Sequence, residues 1–204
     1  MICSLIYYSP AGDELSWLAP NLGIWYGSLL LRDEQYRTWL KSGKPYCFWM
    51  SGFFNPQGFV TSVQQEITRA HKFENWALDS VVIHAEVTEI DNPDSVRQPP
   101  KEGVYVNGLF LDGAAWSHKE NSLMESSPKK LYANMPLLLI TAVTKAARKN
   151  MTNDYGPYGG FDCPVYKYRV RTDRYIIFNA LLPSRDRRPL HWILRGVALL
   201  CSTS

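Results

Sequence analysis

Along the first third of the chain, apolar residues recur at three- and four-residue steps or their multiples: Leu22, Trp25, Leu29, Tyr36 and Leu40. Arg32, Asp33, Glu34 and Arg37 take other positions, so the pattern predicts a helix with one apolar stripe. A Gly- and Pro-punctuated stretch, Lys41 to Pro45, ends it, and a short aromatic run, Tyr46 to Phe54, follows. Asn55-Pro56 then supplies a second helix start, because Asn caps a free amide and Pro at the first helical position has no amide to leave unpaired. Phe59, Val60, Val63, Ile67 and Ala70 are the predicted buried face of that helix.

Near Trp76 the period falls to two. Val81, Ile83, Ala85 and Val87 alternate with Val82, His84, Glu86 and Thr88 across Val81 to Glu89, which predicts a half-buried strand. Further strands are predicted at Gly103 to Leu111, Leu137 to Val143, Val165 to Thr172, Tyr175 to Leu182 and Trp192 to Leu200. Polar or Pro/Gly-rich connections separate them: Asp91 to Glu102, Ser117 to Lys130, Thr144 to Gly160 and Pro183 to Leu190. Short strands joined in this way favour antiparallel pairing, since a parallel sheet needs helical crossovers. The expected fold class is α+β: an N-terminal helical segment over 1–77, then a small closed antiparallel β-barrel of about six strands over 78–204.

At 204 residues the polypeptide buries roughly 70% of its unfolded surface on folding, so a real core is expected without staples. A composition 46% hydrophobic and 20% charged is that of a folded protein, and a net charge of +3 demands no polyanionic partner. Cys3, Cys47, Cys163 and Cys201 form neither CxxC pairs nor a zinc-like cluster and are expected to be reduced. Met1 to Pro10 carries no basic residue before its apolar stretch and is too short to span a bilayer, so an intracellular protein with no membrane partner is expected. On that reading Asn150-Met151-Thr152 is a chance match to a glycosylation sequon.

The glycine cluster Gly156-Pro157-Tyr158-Gly159-Gly160 is followed by Phe161-Asp162-Cys163, with no Lys-Ser/Thr to reach phosphate and magnesium. It reads as a turn before a strand. His71, His84, His118 and His191 lack the HExxH spacing of a helix-borne zinc site. No catalytic residue, cofactor or metal is expected. His84 is predicted on the polar, exposed strand face with Glu86 and Thr88. Asp112 before Gly113 reads as a strand ending in a turn; a catalytic role would need a second acid or base. Lys167, Arg169 and Arg171 alternate with Tyr166, Tyr168 and Val170, which on a strand puts cations on one face and rings on the other. A solvated exterior over an aromatic core explains that strip more simply than a phosphate-binding face. Trp17, Trp25, Tyr36, Trp39 and Trp49 are more than one small core easily takes in, so Trp17, Trp25, Tyr36 and Trp39 are the candidate partner-binding residues.

Four blocks carry a family resemblance: Phe48-Trp49-Met50-Ser51-Gly52-Phe53-Phe54-Asn55-Pro56-Gln57-Gly58-Phe59, Glu102-Gly103-Val104-Tyr105-Val106-Asn107-Gly108-Leu109-Phe110-Leu111-Asp112-Gly113, Cys163-Pro164-Val165-Tyr166-Lys167 and Arg195-Gly196-Val197-Ala198-Leu199-Leu200. In order and spacing they resemble the C-terminal domain of dynein heavy chains, from Trp17 onward. Arg97-Gln98-Pro99-Pro100 and Tyr155-Gly156-Pro157-Tyr158 look most like outer-arm axonemal heavy chains. Met1 to Gly12 match the family poorly, and Asn107 stands where the family more often carries His.

The resemblance implies the end of the family's helical subdomain followed by its small β-barrel. It implies a non-catalytic regulatory and structural module resting on the ATPase ring of a minus-end-directed microtubule motor, within the dynein complex of the ciliary or flagellar axoneme. ATP hydrolysis would then reside elsewhere in the parent heavy chain, and microtubule contact would be indirect. Two rival readings are an enzyme or small-ligand binder using the barrel mouth, and a nucleic-acid binder using the Lys167 to Arg174 strip.

Overall fold

The computed structural model describes residues 22–154 and 158–202. Helix α1 (Leu22–Ser42) leads into a short strand, β1 (Cys47–Trp49), and then α2 (Pro56–Ala70). The start of α2 is the one read from sequence: the Asn55 side chain accepts a hydrogen bond from the Gly58 amide at 2.9 Å, and Pro56 opens the first turn. Phe59, Val60, Val63 and Ile67 are buried, while Ala70 is exposed. Asn55→Ala is expected to cost about 1 kcal/mol, seen as a lower urea midpoint at unchanged m-value.

After α2 come β2 (Val81–Val87), β3 (Val104–Asn107), β4 (Phe110–Asp112), β5 (Ala115–Ser117), β6 (Ser122–Met124), β7 (Tyr132–Asn134) and β8 (Leu138–Thr144). Helix α3 (Lys145–Asp154), β9 (Gly160–Tyr166), β10 (Ile176–Pro183), α4 (Pro189–Leu194) and β11 (Ala198–Leu200) complete the fold. One sheet has the order β1-β3-β8-β2, a second β10-β9-β11-β4-β7, and β5 pairs with β6 as a hairpin. One buried cluster joins Phe48, Phe53, Phe59 and Val63 to Ile140, Leu182 and Leu199, and so crosses the expected 77/78 boundary.

The α+β class stands, but the barrel is not closed. Two sheets meet where β3 runs on into β4 through Gly108, whose φ of +79° turns the chain in a region that strongly favours glycine. On the far side β2 and β10 lie close together without a shared ladder. There Arg148, from α3, donates to the Ile83 carbonyl of β2 at 3.1 Å, the Asn179 carbonyl of β10 at 3.4 Å and the Asp162 carboxylate of β9 at 2.6 Å. A planar guanidinium with several donors suits such a seam.

The strands also differ in number and direction from the expected six antiparallel ones. The described residues hold eleven, with β1 parallel to β3 and β11 parallel to β9. The predicted strand at Gly103 to Leu111 breaks at Gly108 into two. That at Trp192 to Leu200 splits because Pro189 opens a helix and Gly196, at φ +65°, ends it before β11. Two stretches read as plain connections hold β6 and α3; the latter, KAARKNMTND, carries too few apolar residues for periodicity to reveal it. The strand expected at Val165 to Thr172 lies earlier, at Gly160–Tyr166, where Phe161, Cys163 and Val165 form its buried alternation.

Candidate functional site

Helix α1 is the element least absorbed by the fold. Its second half is fastened down. Gln35 accepts from the Trp49 amide at 2.7 Å, the Arg32 guanidinium lies 5.1 Å over the Phe54 ring, and Tyr36 and Trp39 meet Phe53 and Phe48 edge to face at 6.3 and 5.1 Å. The first half, residues 22–31, contains no charged residue, and its apolar side chains fall on every side of the helix. Leu22 is 68% and Leu31 55% exposed, with Tyr26 and Leu30 comparable; Trp25 and Leu29 are half-buried. A helix apolar all round is ordinarily buried all round, so this half-turned-out cylinder is a candidate contact surface.

Of the four residues singled out from sequence, Trp25 lies on that first half. Tyr36 and Trp39 are partly buried against the core and also hold the helix in place. Trp17 lies outside the described residues. Sequence reasoning placed Leu22, Trp25, Leu29, Tyr36 and Leu40 on one apolar face, and of these Leu22 and Leu40 are among the most exposed apolar residues. It missed Tyr26, Leu30 and Leu31, although the uncharged run over 22–31 was the available signal.

The basic strip does not form a strand face. Beyond Tyr166 the backbone bends, and its cations are committed one by one: Lys167 donates to the Phe54 carbonyl at 2.6 Å, Arg169 lies over the Tyr132 ring, and Arg171 binds the Gly196 carbonyl and pairs with Asp112 at 2.5 Å. Asp112 at the end of β4 thus accepts from an arginine.

His84 is a correction: it is 6% exposed, not on a solvated face, because α3 packs over β2 and sets an Arg148 nitrogen 3.3 Å from its Nδ1. Burial, then the Arg148 charge, pushes its pKa below 6.5. His71 is the opposite case. Its two nitrogens meet Glu74 at 2.9 Å and Glu102 at 2.6 Å, and its ring stacks on Trp76 at 4.2 Å; those carboxylates raise its pKa above 6.5. His71 therefore stabilises the fold most below its unfolded value and loses that share as pH rises through the folded value. His84 contributes above its unfolded value and loses its share as pH falls. An NMR titration is expected to place the His71 midpoint above 6.5 and that of His84 below it, with Glu102→Gln moving only the former downward.

Burial pushes the Cys47 and Cys201 thiols up to about 12 and Cys163 higher still, so none of the three is a poised nucleophile. Cys3 lies outside the described residues. Among the described residues, no three His, Cys, Asp or Glu side chains gather where they could hold a metal ion.

A family model for the C-terminal domain of the dynein heavy chain matches residues 13–201. This protein belongs to that family. It is 47% identical over 188 residues to dynein axonemal heavy chain 8 of Homo sapiens and equally to dynein axonemal heavy chain 5 of Mus musculus, each match covering 92% of its own length. It is 40% identical over 189 residues to the dynein gamma chain of the flagellar outer arm of Chlamydomonas reinhardtii. It spans 4% of the length of each of these axonemal relatives, so what the C-terminal domain holds is a small part of a large motor.

Proposed function

We propose that this dynein C-terminal domain is a non-catalytic regulatory and structural module, docked by the first half of α1 on the ATPase ring of the same or parent heavy chain. The observation that carries this reading is the uncharged, apolar-all-round stretch 22–31 projecting beyond a firmly anchored second half. Trp25, Tyr36 and Trp39 belong to the proposed interface or its base, and Trp17 is assigned to it from the sequence alone. Residues 1–77 and 78–204 act in this reading as subdomains sharing a core. The axonemal relatives support a place in the cytoskeleton of cilia and flagella, within the dynein complex and with the microtubule reached indirectly.

Such a module alters stepping only by binding the ring's conformations unequally, since equal affinity shifts no equilibrium. A differential near 1.4 kcal/mol changes the balance about tenfold. The test adds the purified domain to a motor lacking its C-terminal region and follows velocity, run length and ATPase rate. Restored regulation supports the proposal. ATP turnover by the domain alone, or no effect at saturating concentration, overturns it.

A further inference from the structure

A second surface, on α4, goes beyond the docking assigned to α1. Helix α4 is seated from beneath: Trp192 is buried and donates from Nε1 to Ser184 Oγ at 2.7 Å, and His191 meets Glu125 at 2.7 Å. The positions left facing outward, Leu190, Ile193 and Leu194, are 62%, 60% and 79% exposed. They stand at three- and four-residue steps on one short helix, which makes them neighbours on a single face. Three contiguous, well-exposed aliphatic side chains on one anchored helix form an apolar patch of the kind that marks contact sites when it is rimmed by polar residues.

The rim of that face is basic. Arg185, Arg187 and Arg188 precede the helix, Arg195 follows it, and all four are exposed. The acids nearby are Asp186, which is exposed, and Glu125, whose carboxylate is shared among His191, Arg187 at 3.8 Å and Arg195 at 2.7 Å. The guanidinium groups of Arg185 and Arg188 meet no carboxylate among the described residues. Four arginines against two carboxylates leave the rim net positive around an apolar centre. That arrangement selects a partner with the complementary pattern, since charges at a rim steer and select while the apolar centre supplies adhesion.

We propose that α4 and its arginine rim dock an acidic amphipathic helix of another polypeptide of the motor assembly, its aliphatic stripe on Leu190, Ile193 and Leu194 and its carboxylates on Arg185 and Arg188. A second copy of this protein fits poorly. Two α4 faces would oppose like charges, and the apolar first half of α1 has no acidic residue in its first turn to answer the arginines.

The test places a photoreactive benzophenone side chain at Ile193 in the heavy chain within isolated axonemes, and identifies the cross-linked peptide by mass spectrometry. Expected is one segment of another polypeptide, rich in Asp and Glu, with aliphatic residues at three- and four-residue steps. Arg185→Glu with Arg188→Glu is expected to lower the cross-link yield at least tenfold, with the unchanged melting temperature and far-ultraviolet circular dichroism of the purified domain carrying the same changes confirming the fold. Cross-linking only to lipid, to another part of the same heavy chain, to a second copy, or to a neutral or basic segment overturns the proposal, as does no cross-link or a yield indifferent to the arginine changes. Because the readout is a cross-link at α4 and not motor velocity, its failure leaves the α1 reading separately testable.

Discussion

Leu22→Asp, Tyr26→Asp and Leu30→Asp, made together, are expected to weaken binding of the domain to a motor lacking its C-terminal region by at least about 30-fold. That factor corresponds to about 2 kcal/mol, the loss typical of a single hot-spot side chain. All three side chains are about half exposed or more, on the part of α1 that lies beyond the Gln35, Tyr36 and Trp39 anchors. Aspartate there buries a charge only when the partner is present, so the penalty falls on docking. The melting temperature should move by no more than about 3 °C, the scale of a surface change within 1 kcal/mol in a domain of this size. Velocity and run length should follow the lost affinity, while thermal unfolding and the near-ultraviolet spectrum stay near wild type. Undiminished binding by a folded triple variant would show that α1 is not the contact.

The largest effect on stability is expected from Trp192→Ala. Trp192, on the buried face of α4, is 1% exposed, and its indole nitrogen is the donor to Ser184 Oγ, itself buried. Removing the ring leaves a cavity and a polar group without its donor, a loss of about 3–5 kcal/mol. At roughly 2–4 °C per kcal/mol for a domain of this size, the melting temperature should drop by about 6–20 °C. Trp192→Phe separates the two causes: it refills most of the cavity yet leaves Ser184 Oγ with only its own bond to the Arg187 carbonyl. An intermediate loss of about 1–3 kcal/mol is expected for it. A Phe variant as unstable as the Ala variant would mean that the hydrogen bond, and not the ring volume, holds α4 in place.

Features set by neighbours in sequence were legible without coordinates. The Asn55-Pro56 helix start needs only two adjacent residues, and the buried stripe Phe59, Val60, Val63 and Ile67 is a helical period that any partner surface reads alike. The alternation from Val81 to Val87 gave β2 almost to the residue. Short elements were less visible. Strands of three residues such as β4, β5 and β11 hold too few alternations to stand out, and α3 is polar enough to pass for a loop.

The candidate interface was half legible. An aromatic excess in the first forty residues signalled more ring surface than a small core takes in, but one-dimensional periodicity assigns a helix one inward face and cannot say which stretch has a core beneath it. Only the packing of Tyr36 on Phe53 and Trp39 on Phe48 shows where α1 is anchored, and hence that Leu22, Tyr26, Leu30 and Leu31 lie past the anchor.

By itself, then, the order of residues determined the family, the α+β class and the main helices, because each is written in local spacing. The tertiary structure alone decided that the sheets stay open and are bridged by Arg148, that His84 is buried and that the Lys167 to Arg171 cations are committed singly. It alone turned Leu190, Ile193 and Leu194 outward. Burial, pairing and exposure depend on which distant segments arrive at the same place, and no local pattern carries that information.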